Sequence, residues 1–135
     1  MKKIQLVLAS SFLVLNIANA ATPCDGFQIN VKNNLQDNLM ISTIKLNGAE
    51  IQPSGLQSLD SKSERSFVVN GSNANTPMTG EFIFHTISLP MKTVHLNFNL
   101  TNELLICSHV DHSTNDEYAV GVSRMPGQVT YTLGH

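Results

Sequence analysis

The stretch EFIFHTISLPMKTVHLNFNL, residues 81–100, decides the fold. Apolar and other residues alternate on both sides of Pro90-Met91-Lys92, with a period of two. That period belongs to strands, because successive side chains point to opposite faces of a sheet. The stretch therefore predicts two antiparallel strands, Glu81–Leu89 and Thr93–Leu100, joined at Pro90. With an even connection, Ile83, His85, Ile87 and Leu89 share the core face with Val94, Leu96, Phe98 and Leu100. The opposite face then carries Phe82, Phe84, Thr86, His95, Asn97 and Asn99. A slip of one residue would exchange the faces of one strand.

Outward from this hairpin the same period recurs. Phe27, Ile29 and Val31 alternate with Gln28, Asn30 and Lys32. Leu104, Ile106, Ser108 and Val110 share one face of a later segment. Tyr118, Val120 and Val122 form another such set, and Val129, Tyr131 and Leu133 a last one. Turn residues stand between the runs, at Asn33-Asn34, Asn47-Gly48, Pro53-Ser54-Gly55, Asn70-Gly71 and Met125-Pro126-Gly127. Asn-Gly suits a two-residue hairpin turn, so Asn47-Gly48 is expected to join short strands near Ile44–Leu46 and Ala49–Ile51. Only Leu56–Glu64 offers a helical turn. Short strands spaced this regularly predict an all-β chain, an antiparallel β-sandwich of eight or nine strands.

The first twenty residues stand apart from this pattern. Lys2 and Lys3 precede an apolar run from Ile4 to Ile17, and Ala18-Asn19-Ala20 follows as a small-x-small site. That order is the signature of a secretory signal peptide. The run falls short of the roughly 20 residues of a membrane span. The sequence therefore divides into a signal peptide, residues 1–20, and a single sandwich domain, residues 21–135. The leader has the form of a bacterial export signal, which points to the periplasm or to secretion beyond it. Pro23 before Cys24 departs from the small residue that a lipoprotein signal places there.

Loss of residues 1–20 would leave 6 basic and 10 acidic residues, a formal charge of −4. That charge argues against nucleic acid and against anionic lipid surfaces as partners. Cys24 and Cys107 are the two cysteines, both in the exported part. An even count in an oxidising compartment predicts a disulfide between them. It closes a loop of about 80 residues and pins the first strand of the mature chain.

Chemistry is harder to read. His109, Asp111 and His112, followed by Asp116 and Glu117, place two imidazoles and three carboxylates within nine residues. Those groups suit a divalent ion such as zinc. In a strand, however, His109 and Asp111 share a face and His112 does not, so a metal site requires a bend at Asp111. Asn73 and Asn75 lie in the long polar segment Asn70–Gly80, where amide side chains suit sugar hydroxyls. Phe82, Phe84 and His95 are the nearest groups to stack on such a ligand. There is no G-x-S-x-G, H-E-x-x-H or P-loop.

The leading expectation is an exported, non-enzymatic binding protein without a cofactor, recognising a protein or glycan. Crossing the outer membrane as a folded type II secretion substrate, to act on a host or surface component, is one version of it. The alternatives are a metal-assisted hydrolase built on His109, Asp111 and His112, and a small membrane-active protein.

Overall fold

The structure, a computed structural model, describes residues 22–55, 57–114 and 117–134. The expected signal peptide and its cleavage site lie outside these residues. The described residues form ten strands and no helix. They are β1 (Gln28–Asn33), β2 (Leu39–Asn47), β3 (Glu50–Gln52), β4 (Gln57–Leu59), β5 (Glu64–Asn70), β6 (Met78–Thr86), β7 (Thr93–Glu103), β8 (Ile106–Asp111), β9 (Val120–Met125) and β10 (Gln128–Leu133).

Two five-stranded sheets result. The first runs β3-β5-β1-β10-β9 and the second β4-β2-β6-β7-β8. All pairs are antiparallel except β1 with β10, which run parallel from Gln28↔Gln128 to Asn33↔Leu133. One core lies between the sheets. The first sheet contributes Ile29, Val31, Phe67, Val129, Tyr131 and Leu133. The second contributes Leu39, Ile41, Met78, Phe82, Phe84, Leu96, Phe98 and Leu100. Phe82 sits among rings, with Phe67 at 4.8 Å and Phe98 at 5.7 Å between centroids, both edge to face.

The predicted all-β sandwich is the fold, with ten strands in place of eight or nine. The extra strands are short. Residues 57–59, expected as a helical turn, form β4, which pairs with β2 from Leu39↔Leu59 to Ile41↔Gln57. Asn47-Gly48 is not a hairpin turn. β2 belongs to the second sheet and β3 to the first, so these residues carry the chain across the sandwich. Gly48 has φ +91°, and a Cβ there would meet Met78, Pro77 and Thr76 at 3.1 Å.

The 81–100 hairpin forms, but with the other register. Phe82 pairs with Leu96 and Phe84 with Val94. The connection is therefore odd, and β6 shows the core the face that the even connection turns outward. Phe82 and Phe84 are fully buried, while Ile83 and His85 move to the outer face. The energetic reason is plain. Two phenylalanines bury more apolar area than an isoleucine and a histidine, and no imidazole is left to desolvate. β8 is also turned. Its Ile106 and Val110 face solvent, and Cys107, His109 and Asp111 face the layer between the sheets.

Asn33 ties the β1–β2 connection to the β4–β5 connection. It is fully buried, and its Nδ2 donates to the carbonyls of Asp37 (2.9 Å), Leu59 (3.0 Å) and Asp60 (3.2 Å). Its Oδ1 accepts the Leu35 N–H at 3.0 Å. All its polar atoms are thus satisfied, as burial demands.

Candidate functional site

Along β8, β9 and β10 a polar cluster built on His109 enters the layer between the sheets. Cys107 is bonded to Cys24 as predicted, across a separation of 83 residues. The Cys24 N–H also donates to Asn102 Oδ1 on β7, at 2.7 Å. Nearby, Asp25 Oδ1 accepts the Ser72 N–H (2.8 Å) and hydroxyl (2.9 Å). The Ser72 N–H, and then its hydroxyl, hold the Asp25 carboxyl below its usual range. Thr22 and Ser72 also bond through their hydroxyls. The start of the described chain is therefore fixed to the loop after β5 and to the end of β7.

Beyond the disulfide, β8 turns His109 inward between Phe27 and Phe98. Arg124 of β9 donates from Nε to His109 Nδ1 at 3.1 Å. Because Nδ1 accepts, the imidazole proton is assigned to Nε2. Nε2 then donates to the Tyr131 hydroxyl of β10 at 2.8 Å. That hydroxyl donates to Asp111 Oδ1 at 3.0 Å. Asp111 Oδ1 also accepts the Ser113 N–H at 3.1 Å. The result is a directed chain, Arg124 to His109 to Tyr131 to Asp111, reaching from an exposed cation to a half-buried carboxylate.

The charges follow from that arrangement. Burial, assisted by the Arg124 charge, lowers the His109 pKa to about 4, so the ring is neutral near pH 7. Burial raises the Tyr131 phenol, and the Asp111 charge raises it further. Burial opposes the charge on Asp111, but hydrogen bonds from Ser113 and Tyr131 prevail and keep its carboxyl below the usual value.

Both His109 nitrogens are engaged, Nε2 as donor and Nδ1 as acceptor, so the Nδ1 lone pair is already taken by Arg124. Asp111 lies beside His109 through Tyr131, while His112 is exposed and donates its own N–H to the Asn97 carbonyl at 2.7 Å. Among the described residues no three His, Cys, Asp or Glu side chains converge as a metal site. Asp116 lies outside those residues. What the chain of bonds does is clamp β8 to β9 and β10 across the sandwich.

The other candidate residues are scattered. Phe82 and Phe84 are core residues, and their burial leaves no ring face for a ligand. This corrects their expected exposure. His95 is half-buried on the outer face of the second sheet. That face has a shallow polar cleft of about 220 Å³ between Lys45, Asn47, Thr79, Glu81 and Asn97. Asn73 and Asn75 are exposed in the β5–β6 loop, apart from that cleft. Asn73 Oδ1 accepts the Asn75 N–H at 2.9 Å, and the Asn73 carbonyl accepts from Asn102 at 3.2 Å. One of these bonds is internal to the loop and the other ties it to β7.

The most prominent surface feature is apolar. In the β7–β8 turn Leu104 and Leu105 are 99% and 92% exposed. Ile106 and Met125 are exposed beside them. Leu105, Ile106 and Met125, together with Pro23, Pro126 and Gly127, line a cleft of about 380 Å³ next to the disulfide. At the other end of β7, Ile87, Leu89 and Met91 form a second apolar tip.

Arg124, Tyr131 and the Leu104–Leu105 turn were not singled out as site residues from sequence. Tyr131 had a readable signal. It alternates with Val129 and Leu133, so it points inward, and a buried phenol needs a partner. Arg124 had none, since its meeting with His109 depends on how two sheets stack. The chain matches no protein-family model and no curated protein.

Proposed function

We propose that this chain is an exported, non-enzymatic interaction protein that engages a protein partner through the apolar end built by the β7–β8 and β9–β10 turns. The observation that carries the reading is the near-complete exposure of Leu104 and Leu105 in a turn anchored beside the Cys24–Cys107 disulfide. Fully burying such a side chain is worth roughly 1.5–3 kcal/mol, and this fold forgoes that gain twice in succession. Contiguous exposed apolar groups of this kind mark interaction surfaces. The signal-like leader and the disulfide support the export reading, because structural disulfides persist in oxidising compartments. No helix among the described residues is long and apolar enough to cross a membrane.

The test uses protein recovered from cells expressing the full chain. Titration with the apolar dye 8-anilinonaphthalene-1-sulfonate is expected to show saturable binding. The Leu104→Asp/Leu105→Asp variant is expected to lose that binding while keeping its melting temperature. Equal dye binding by the variant would sink the reading. Flotation with zwitterionic vesicles separates a lipid target from a protein one. Co-flotation lost in the double variant would replace the protein partner with a membrane surface. Mass spectrometry of the same material is expected to find a mature terminus at Ala21.

A further inference from the structure

We infer that β8 is a pairing edge, and that its occupant is β8 of a second copy of this chain, joined antiparallel about a two-fold axis at Ser108. The inference is independent of the proposed function, since it rests on the backbone of β8 and not on the Leu104–Leu105 turn.

β7 and β8 pair from Phe98↔Asp111 to Glu103↔Ile106 without a shift. The His112 N–H bonds to the Asn97 carbonyl in the same register. Bonded pairs alternate along an antiparallel ladder, so His112, Val110, Ser108 and Ile106 direct their backbone groups toward β7. The β6–β7 side agrees, because the Thr86 N–H bonds to Lys92 and sets the opposite phase on β7. Cys107, His109 and Asp111 therefore direct their N–H and C=O groups away from β7. On that side the sheet has no further strand among the described residues.

Open edges are usually blunted by shortness, Lys, Pro or a bulge. β3 and β4 are three residues long, and β9 carries Arg124 with Pro126 just after it. β8 has six residues and no bulge, and its one charged residue, Asp111, stands at its very end. Its outer face is instead apolar at both ends, with Ile106 62% and Val110 48% exposed.

Register selects the occupant. The outward groups of Cys107 and His109 bond reciprocally to those of a second β8 when Ser108 faces Ser108. Ile106 then lies opposite Val110 of the second copy, and Val110 opposite Ile106, both at non-hydrogen-bonded positions where side chains come closest. Asp111 falls opposite Leu105, so no like charges meet. Shifting the axis to His109 sets Ile106 against His112 and loses both apolar pairs. The symmetric arrangement makes one ten-stranded sheet from two five-stranded ones and is isologous, as closed dimers are. An interface of one short strand pair falls below the roughly 1,200 Å² of stable complexes. A reversible dimer with a dissociation constant on the order of micromolar is therefore expected.

The experiment is sedimentation equilibrium of the exported protein from about 1 to 500 μM, with Val110→Lys beside it. Monomer–dimer exchange is expected, weakened about tenfold or more by V110K with an unchanged melting temperature. Ser108→Cys under mild oxidation is expected to give a covalent dimer through position 108, with Cys24–Cys107 intact by peptide mapping. The two Cα atoms would sit about 4.5 Å apart, within disulfide range. A monomer at every concentration overturns the inference. So does a dimer that V110K leaves unchanged, or one that S108C does not trap.

Discussion

His109 shows how a single buried imidazole governs stability. Its folded pKa of about 4 lies below the unfolded value of 6.5. The folded state therefore holds the neutral ring more strongly than the unfolded chain does. The contribution is fully present above pH 6.5 and is lost as pH falls toward 4, by up to about 3 kcal/mol. Urea unfolding between pH 7 and pH 4 is expected to show that slope, and His109→Leu to flatten it. An unchanged slope in the variant would assign the titration elsewhere. Asn33 is the second such residue. Asn33→Ala removes four hydrogen bonds from a fully buried site and leaves carbonyls without donors. A loss of about 2–4 kcal/mol is expected by denaturant unfolding. Gly80 is required for a different reason. A Cβ there would stand 2.1 Å from Phe98 Cζ, so Gly80→Ala is expected to cost about 1–3 kcal/mol through displaced aromatic packing.

Strand positions were legible from sequence and strand faces only in part. β1 and β10 alternate cleanly, and the structure buries Ile29, Val31, Val129, Tyr131 and Leu133 as read. The segment from Phe82 to Ile87 is apolar on both sides, with Phe82 and Phe84 against Ile83 and Ile87. Alternation alone cannot choose between such faces, and the length of the Pro90 connection decides. β8 misleads for the opposite reason. Its apolar residues, Ile106 and Val110, face out, and the residues turned in are a cysteine, a histidine and an aspartate. The disulfide and the bonds to Tyr131 and Arg124 supply what apolar burial would otherwise supply. A strand held by such contacts, with an apolar outer face, behaves as an edge awaiting a partner, and V110K and S108C test it at that scale. The turn before it is separable. Leu104 and Leu105 contribute no burial, so their replacement by Asp is expected to change unfolding free energy by less than about 0.5 kcal/mol.

Across the whole molecule, the ends of the described chain meet. β1 and β10 pair in the middle of one sheet, and Cys24 is bonded to β8 in the other. The disulfide was legible because two cysteines allow one pairing. The parallel pairing of β1 with β10 was not, since nothing local encodes a contact across about 100 residues. The disulfide closes most of the domain into a loop. Cys24→Ala/Cys107→Ala is expected to lower stability by about 4–5 kcal/mol on the chain-entropy account, measured by thermal unfolding. The same variant is expected to loosen the apolar end, because Pro23 and Cys107 both line its cleft.

The apolar end is proposed to meet a protein partner. Site-specific photo-crosslinking in cells expressing the full chain tests this, with a photoreactive residue at position 105 and a control at Ser58, exposed on β4. A discrete adduct at 105 to a protein other than a second copy of this chain, and none at 58, is the predicted result. Equal labelling at both positions, or no adduct at 105, would contradict it.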